Sequence, residues 1–166
     1  VIPYINALSA HSLEYDMVSR IQQVSRTKKS KLGLISSIPL LGDEKLPEWH
    51  LIRKLSEKYE VIPIDYSQDF PPDTRTLLIV HPAGATPRLE KRLDAFIARG
   101  GAVVVLLDSL SLSSKFLGLA TSTAKMQSSW DGITRATGLT FDASHCISDM
   151  KFATEMDRGF GSESLG

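Results

Sequence analysis

One cysteine, Cys146, stands alone among 166 residues. It has no partner for an intrachain disulfide, and zinc ribbons and other multi-cysteine metal sites are excluded. Surplus charge is also missing, because 19 Lys plus Arg balance 19 Asp plus Glu. Nucleic-acid binding needs an excess of bases to meet phosphates, so nucleic acid is not an expected partner. A local basic patch remains compatible with that balance. No apolar run approaches the roughly 20 residues that span a bilayer. The longest, from Ala102 to Leu107, is the size of one strand. The chain opens at Val1, without an initiator Met or the basic start of a signal peptide. That opening reads as an excerpt from a longer protein. What is present is ordinary for a globular domain: 42% hydrophobic and 23% charged residues, a composition that argues against global disorder.

The patterning divides the chain into a helical lead-in with a basic linker (1–30), an α/β domain (31–155) and a Gly/Ser-rich frayed or truncated tail (156–166). Leu13, Met17, Ile21 and Val24 recur at helical spacing, which predicts an amphipathic helix. The bases that follow, Arg26, Lys28, Lys29 and Lys31, read as a solvated linker. Strands and helices then alternate. Residues 32–38 (LGLISSI), 60–65 (EVIPID), 76–80 (TLLIV) and 102–107 (AVVVLL) are expected strands. Pro63 lacks a backbone donor, which places the second of these at a sheet edge or a bulge. The last, apolar throughout, is the best candidate for a central strand. Residues 49–59 form a helix with Leu51, Ile52, Leu55 and Tyr59 on one side. Thr86-Pro87 supplies a cap and a first helical residue for another, which runs to about Ala98 and closes at Gly100-Gly101. Residues 109–127 read as a long loop with one helical turn near 116–119. A short helix from Ser128 to Thr137 and a fifth strand at 144–148 complete the pattern. Trp49 and Trp130, both at helix starts, read as packing anchors. The alternation implies a three-layer, flavodoxin-like arrangement with a mostly parallel sheet.

In open parallel sheets, sites lie beyond the carboxyl ends of the strands. Three such ends carry Pro39 to Asp43, His81-Pro82-Ala83-Gly84, and Asp108-Ser109. The phosphate loop G-x-x-x-x-G-K-[ST] is absent, and no G-x-G-x-x-G follows a strand, so neither nucleotide-binding device is expected. No nucleophile elbow is present either: Ser109 lies between Asp108 and Leu110 rather than between glycines. Cys146 reads as a small structural hydrophobe inside or beside a strand. His81 is either a strand-end ring bonded to nearby backbone or half of a base–orienter pair with Asp108 or Asp65. Asp108 is a cap or a ligand-binding group. Asp142, His145 and Asp149 are too loosely placed to predict a metal site, and no cofactor is expected.

Four segments in order carry a resemblance. These are 13–16 (LEYD) with the basic stretch, 32–40 (LGLISSIPL), 49–65, and above all 76–108, which contains LLIVHPAGATPRLEKRLDAFIARGGAVVVLLD. Together they resemble the auxiliary component of uncharacterised ABC-type transport systems, the gliding-motility type of transporter domain. The resemblance spans most of residues 13–155. It implies a fold like that of class I glutamine amidotransferases, and a domain on the extracytoplasmic side of the inner membrane. It also implies an ABC ATPase and permease as partners, and membrane anchoring through segments outside this chain. The amidotransferase-like nucleophilic Cys would follow the strand ending at Leu107. Asp108-Ser109 stand there instead, so the thiol chemistry is missing.

The expectation is therefore a non-catalytic module that binds a small molecule, a glycan or a partner subunit. Its candidate residues are Pro39, Gly42, His81, Pro82, Gly84, Asp108 and Ser109. The alternatives are a hydrolase or carbohydrate-active enzyme using Asp108 or Ser109 with His81, and a structural assembly domain. The assembly reading predicts an apolar patch on the first helix and self-association.

Overall fold

The computed structural model describes residues 13–25, 28–44, 46–84, 86–119, 122, 126–129 and 140–145. In chain order the elements are α1 (Leu13–Ser25), β1 (Ser30–Ser36), α2 (His50–Lys58), β2 (Tyr59–Pro63), β3 (Thr76–Val80), α3 (Pro87–Ala98), β4 (Ala102–Leu106) and α4 (Leu112–Phe116). The four strands form one parallel sheet in the order β2-β1-β3-β4. Among the described residues no helix is long and apolar enough to cross a membrane.

Side chains alternate across the sheet and so build two cores. Leu32, Leu34 and Leu78 point to one face, where Ile52 of α2 meets them together with Ile38 and Leu40. Ile35, Leu77 and Ile79 point to the other, against Leu89, Leu93 and Phe96 of α3. Both helices are amphipathic and pack on opposite faces of the sheet, while Leu51 of α2 and Ile97 of α3 stay exposed beside the buried residues. The result is the expected three-layer α/β sandwich.

Local chemistry places the helix ends. Thr86 is extended, and its hydroxyl accepts from the Leu89 N–H at 3.3 Å while Pro87 takes the first helical position. Gly100 stops α3 at φ +86°, a conformation that disfavours any side chain. β2 is an edge strand, as Pro63 requires. Among the described residues it pairs only with β1, and residues 64–75 cross from it to β3 as a loop.

Two expectations change. Among the described residues β4 ends the sheet rather than lying at its centre, and its burial alternates: Val103 and Val105 pack on the α3 core, while Val104 and Leu106 are about half exposed. An unbroken apolar run records how little water a strand tolerates, not which strands flank it. The centre belongs to β1 and β3, whose middle residues are buried on both faces. In the 109–127 loop, the helical turn lies at Leu112–Phe116, earlier than expected, because the Ser111 hydroxyl accepts from the Ser114 N–H and caps it there. The expected helix at 128–137 falls outside the described residues apart from its first two positions, 128 and 129. Cys146, Trp130, Asp149 and most of the expected fifth strand also lie outside them. Ser144 and His145 are described, and they form a turn and its exit.

Candidate functional site

The strand order reverses between β1 and β3, the place where a parallel sheet opens a crevice. Here three loops meet. The Ser37 hydroxyl, just after β1, lies 2.7 Å from the Tyr66 hydroxyl, which follows β2. The Ala83 N–H, after β3, donates to both, at 3.0 and 3.3 Å. The Tyr66 carbonyl in turn accepts from the Arg92 guanidinium of α3. The reversal point is thus closed by hydrogen bonds, and the open space lies to one side of it.

That space is a cleft of about 500 Å³ at the carboxyl ends of β1 and β2. Leu34, Ile38, Leu40, Leu41 and Ile64 give it apolar walls, and Ser36, Asp65, Tyr66 and Gln68 supply polar groups. Polar and apolar groups share the exposed lining almost evenly, and Leu41 offers most of the apolar surface. Pro39 and Gly42 line it as well. Gly42 turns the β1–α2 loop at φ +76°, and the loop is held by Gly42 N–H to Pro39 O (3.0 Å) and Trp49 N–H to Leu40 O (3.0 Å). The Asp65 carboxylate accepts from the backbone N–H and hydroxyl of Ser67, and these two bonds hold its pKa below the ordinary value.

The other candidate residues form a second cluster at the ends of β3 and β4. His81 is buried and left-handed at φ +46°, an uncommon conformation for a residue with a side chain. Its N–H donates to Leu106 O at 2.9 Å. Its Nδ1 lies 3.0 Å from the buried Ser128 hydroxyl. That same oxygen accepts from the Asp108 N–H at 2.9 Å, and Asp108 O accepts from the Ser128 N–H at 2.8 Å. The arrangement suits a neutral ring, with the Ser128 hydroxyl donating to Nδ1. Pro82 is buried, and its carbonyl accepts from the Ser129 N–H at 2.9 Å; the Ser129 hydroxyl accepts from the Gly84 N–H at 3.2 Å. Asp108 is exposed, with its Oδ1 accepting from the Leu110 N–H at 2.9 Å, while Ser109 beside it is half-buried. The fold brings His81, Pro82, Gly84 and Asp108 together through the 126–129 segment. It sets them apart from Pro39 and Gly42, which face the cleft.

Burial lowers the pKa of His81, and the Asp108 charge opposes this only in part. Unfolding returns the ring toward 6.5, so as pH falls the unfolded chain takes up the proton first. The stability from this group is therefore complete above about pH 6.5 and lost as pH falls through that value toward the folded pKa. Urea unfolding should show this decline in the wild type and a flatter profile in His81→Asn, since Asn tolerates the left-handed backbone and does not titrate. Equal slopes in the two proteins would refute the assignment.

Among the described residues no group of three His, Cys, Asp or Glu is placed to hold a metal ion. Asp142, Ser144 and His145 do touch: Nδ1 of His145 lies 2.7 Å from Asp142 and 2.9 Å from the Ser144 hydroxyl. Both contacts use the same ring nitrogen, whereas a proton relay needs one on each. The cluster is an exposed turn in which Ser144 first, and His145 second, lower Asp142 to about 2.

The sequence reading missed Tyr66, Gln68 and Ser128. It followed the ends of three strands and passed over the end of β2, where Asp65 was the available sign. The sequence places Ser128 only at the start of a short helix, and its bond to His81 has no local signature.

A family model described as ABC-type uncharacterized transport system matches residues 29–164. Searches of curated proteins and of solved structures found no significant match.

Proposed function

Because the chain belongs to the ABC-type uncharacterized transport system family, we propose that it serves its transporter as a binding module rather than as an enzyme. It holds a ligand, a glycan or a partner subunit at the carboxyl ends of its strands, on the extracytoplasmic side of the membrane, beside an ABC ATPase and permease. Segments outside these 166 residues would anchor it. The cleft beside β1 and β2 carries this reading: its apolar walls, with Leu41 40% exposed at the rim, suit burial of an apolar group, and Asp65, Tyr66 and Gln68 suit its orientation. The hydrolase reading draws less support. The His81 ring is turned to the buried Ser128.

The test is co-purification in detergent with the ATPase and permease encoded alongside. Leu41→Glu should weaken retention by about 10-fold, because a carboxylate would have to be desolvated in the apolar wall. Undiminished retention would remove the cleft from the proposal. Turnover of amide or ester substrates, lost on Asp108→Ala or Ser109→Ala, would replace it with the enzyme.

A further inference from the structure

Strands β2, β1 and β3 are parallel neighbours, so the residues ahead of them gather at one end of the sheet, opposite the cleft. That end holds a second pocket, of about 400 Å³. Parallel sheets usually keep their sites at the carboxyl ends, and a search of strand ends passes over it. Lys28 and Lys29, just before β1, and Lys31, its second residue, line the pocket together with Arg75, the last residue before β3. Asp73 is the one acid in that lining, so positive charge exceeds negative by three. The whole chain is neutral, with 19 bases against 19 acids. The surplus is therefore local, and it is held in a concavity, where charge of one sign concentrates counter-ions.

The partners of these bases define the chemistry. Lys31 Nζ lies 3.3 Å from the Asp73 carboxylate, and the two charges cancel. Lys29 Nζ donates to the Ser56 carbonyl, a neutral acceptor that leaves its charge uncancelled. Among the described residues no ion pair or side-chain hydrogen bond engages Lys28 or Arg75, and both are exposed. Glu60, beside Lys31 in register on β2, does not line the pocket. A guanidinium fork can bind two oxygens of one phosphate, and ammonium groups add point charges around it. A phosphate monoester brings ~2 negative charges to this surplus, where a carboxylate brings a single one. Ser30 and Thr76 add hydroxyl-bearing residues to the same lining. We propose that this pocket binds a phosphate group, carried by a soluble ester or by an anionic lipid headgroup, with Lys28 and Arg75 as its principal contacts.

Calorimetric titration of the whole chain with inorganic pyrophosphate tests the site. Binding is expected, and it should weaken as salt is raised, because the contacts are ionic. Joint Lys28→Gln and Arg75→Gln substitution should weaken it about 10-fold or more, through loss of two charge-assisted contacts. The circular dichroism spectrum should not change, since neither side chain holds another part of the fold. Lys91→Gln, which removes an exposed base from α3, should leave binding as it is. Flotation with vesicles of phosphatidylglycerol in phosphatidylcholine identifies the source. Capture that the double variant loses, and that phosphatidylcholine alone does not give, assigns the phosphate to a lipid headgroup. Pyrophosphate binding without such capture assigns it to a soluble ester.

If pyrophosphate does not bind and no vesicle capture depends on Lys28 and Arg75, the proposal fails. It fails equally if the double variant binds pyrophosphate like the wild type, or if Lys91→Gln weakens binding as much, which would mark attraction to any surface base. Acetate bound as tightly as pyrophosphate at equal ionic strength would overturn the phosphate assignment. None of these outcomes bears on the cleft, which shares no lining residue with this pocket.

Discussion

Phe96→Ala should lower the free energy of unfolding by about 3–5 kcal/mol, a large part of what a domain of this size possesses. Phe96 is fully buried and joins α3 to the sheet core formed by Ile35, Leu77 and Ile79. Its ring meets Phe70 edge to face, with centroids 5.5 Å apart and planes at 79°. The Arg99 guanidinium lies over the ring, 5.1 Å from its centroid. Truncation would leave a cavity that these neighbours, held by the sheet and by α3, can fill only in part. The ring also explains Gly101. A Cβ there would approach Phe96 atoms to 2.2–2.6 Å, which no packed pair tolerates. Gly101→Ala should therefore destabilise the wild type strongly and the Phe96→Ala protein little. Urea midpoints of the two single variants and the double variant measure that coupling. A loss below about 1 kcal/mol for Phe96→Ala would mean that the site collapses freely and is not the core it is taken for.

That core was legible in the sequence, because helix and strand periods are local. Leu89, Leu93, Phe96 and Ile97 mark an apolar stripe on α3, of which the structure buries all but Ile97, and Thr86-Pro87 and Gly100 mark its ends. Pro63 pointed to a sheet edge or a bulge without any knowledge of its neighbours, and the edge is what the described strands show. The position of β4 was not legible, since a valine run looks the same in the middle of a sheet and at its border. The candidate site was legible in half. The rule of strand ends found Pro39 and Gly42, and it found His81 and Asp108, but nothing local tells which ends stay open. The Ser37–Tyr66–Ala83 bonds that close the β1/β3 crevice join residues far apart in the chain, and so does the bond from His81 to Ser128. Those links decide that the space lies beside β2. The family match over residues 29–164 agrees with the resemblance carried by the order of the four segments.

Gly42→Ala should damage both the fold and the cleft. A residue with a side chain at φ +76° costs about 1–2 kcal/mol through handedness alone. Contact adds to this. A Cβ at Gly42 would lie 2.5 Å from Leu46 O, 2.7 Å from Glu48 N and 2.8 Å from Pro47 C. All three are backbone atoms, and none can rotate away as a flexible side chain would. Relief requires the loop itself to move, at the expense of the bonds from Gly42 N–H to Pro39 O and from Trp49 N–H to Leu40 O. Those bonds hold Pro39, Leu40 and Leu41 against the cleft, so its wall would shift with them. Gly84 supplies the control, because it has φ +81° and a Cβ there would meet nothing within 4 Å. Gly84→Ala incurs the handedness term only. The excess destabilisation of Gly42→Ala over Gly84→Ala thus isolates the backbone clash, and retention of the permease should fall in the first variant and persist in the second. Equal unfolding midpoints for the two would show that the loop yields without strain. Equal retention would show that the cleft is not where the partner binds.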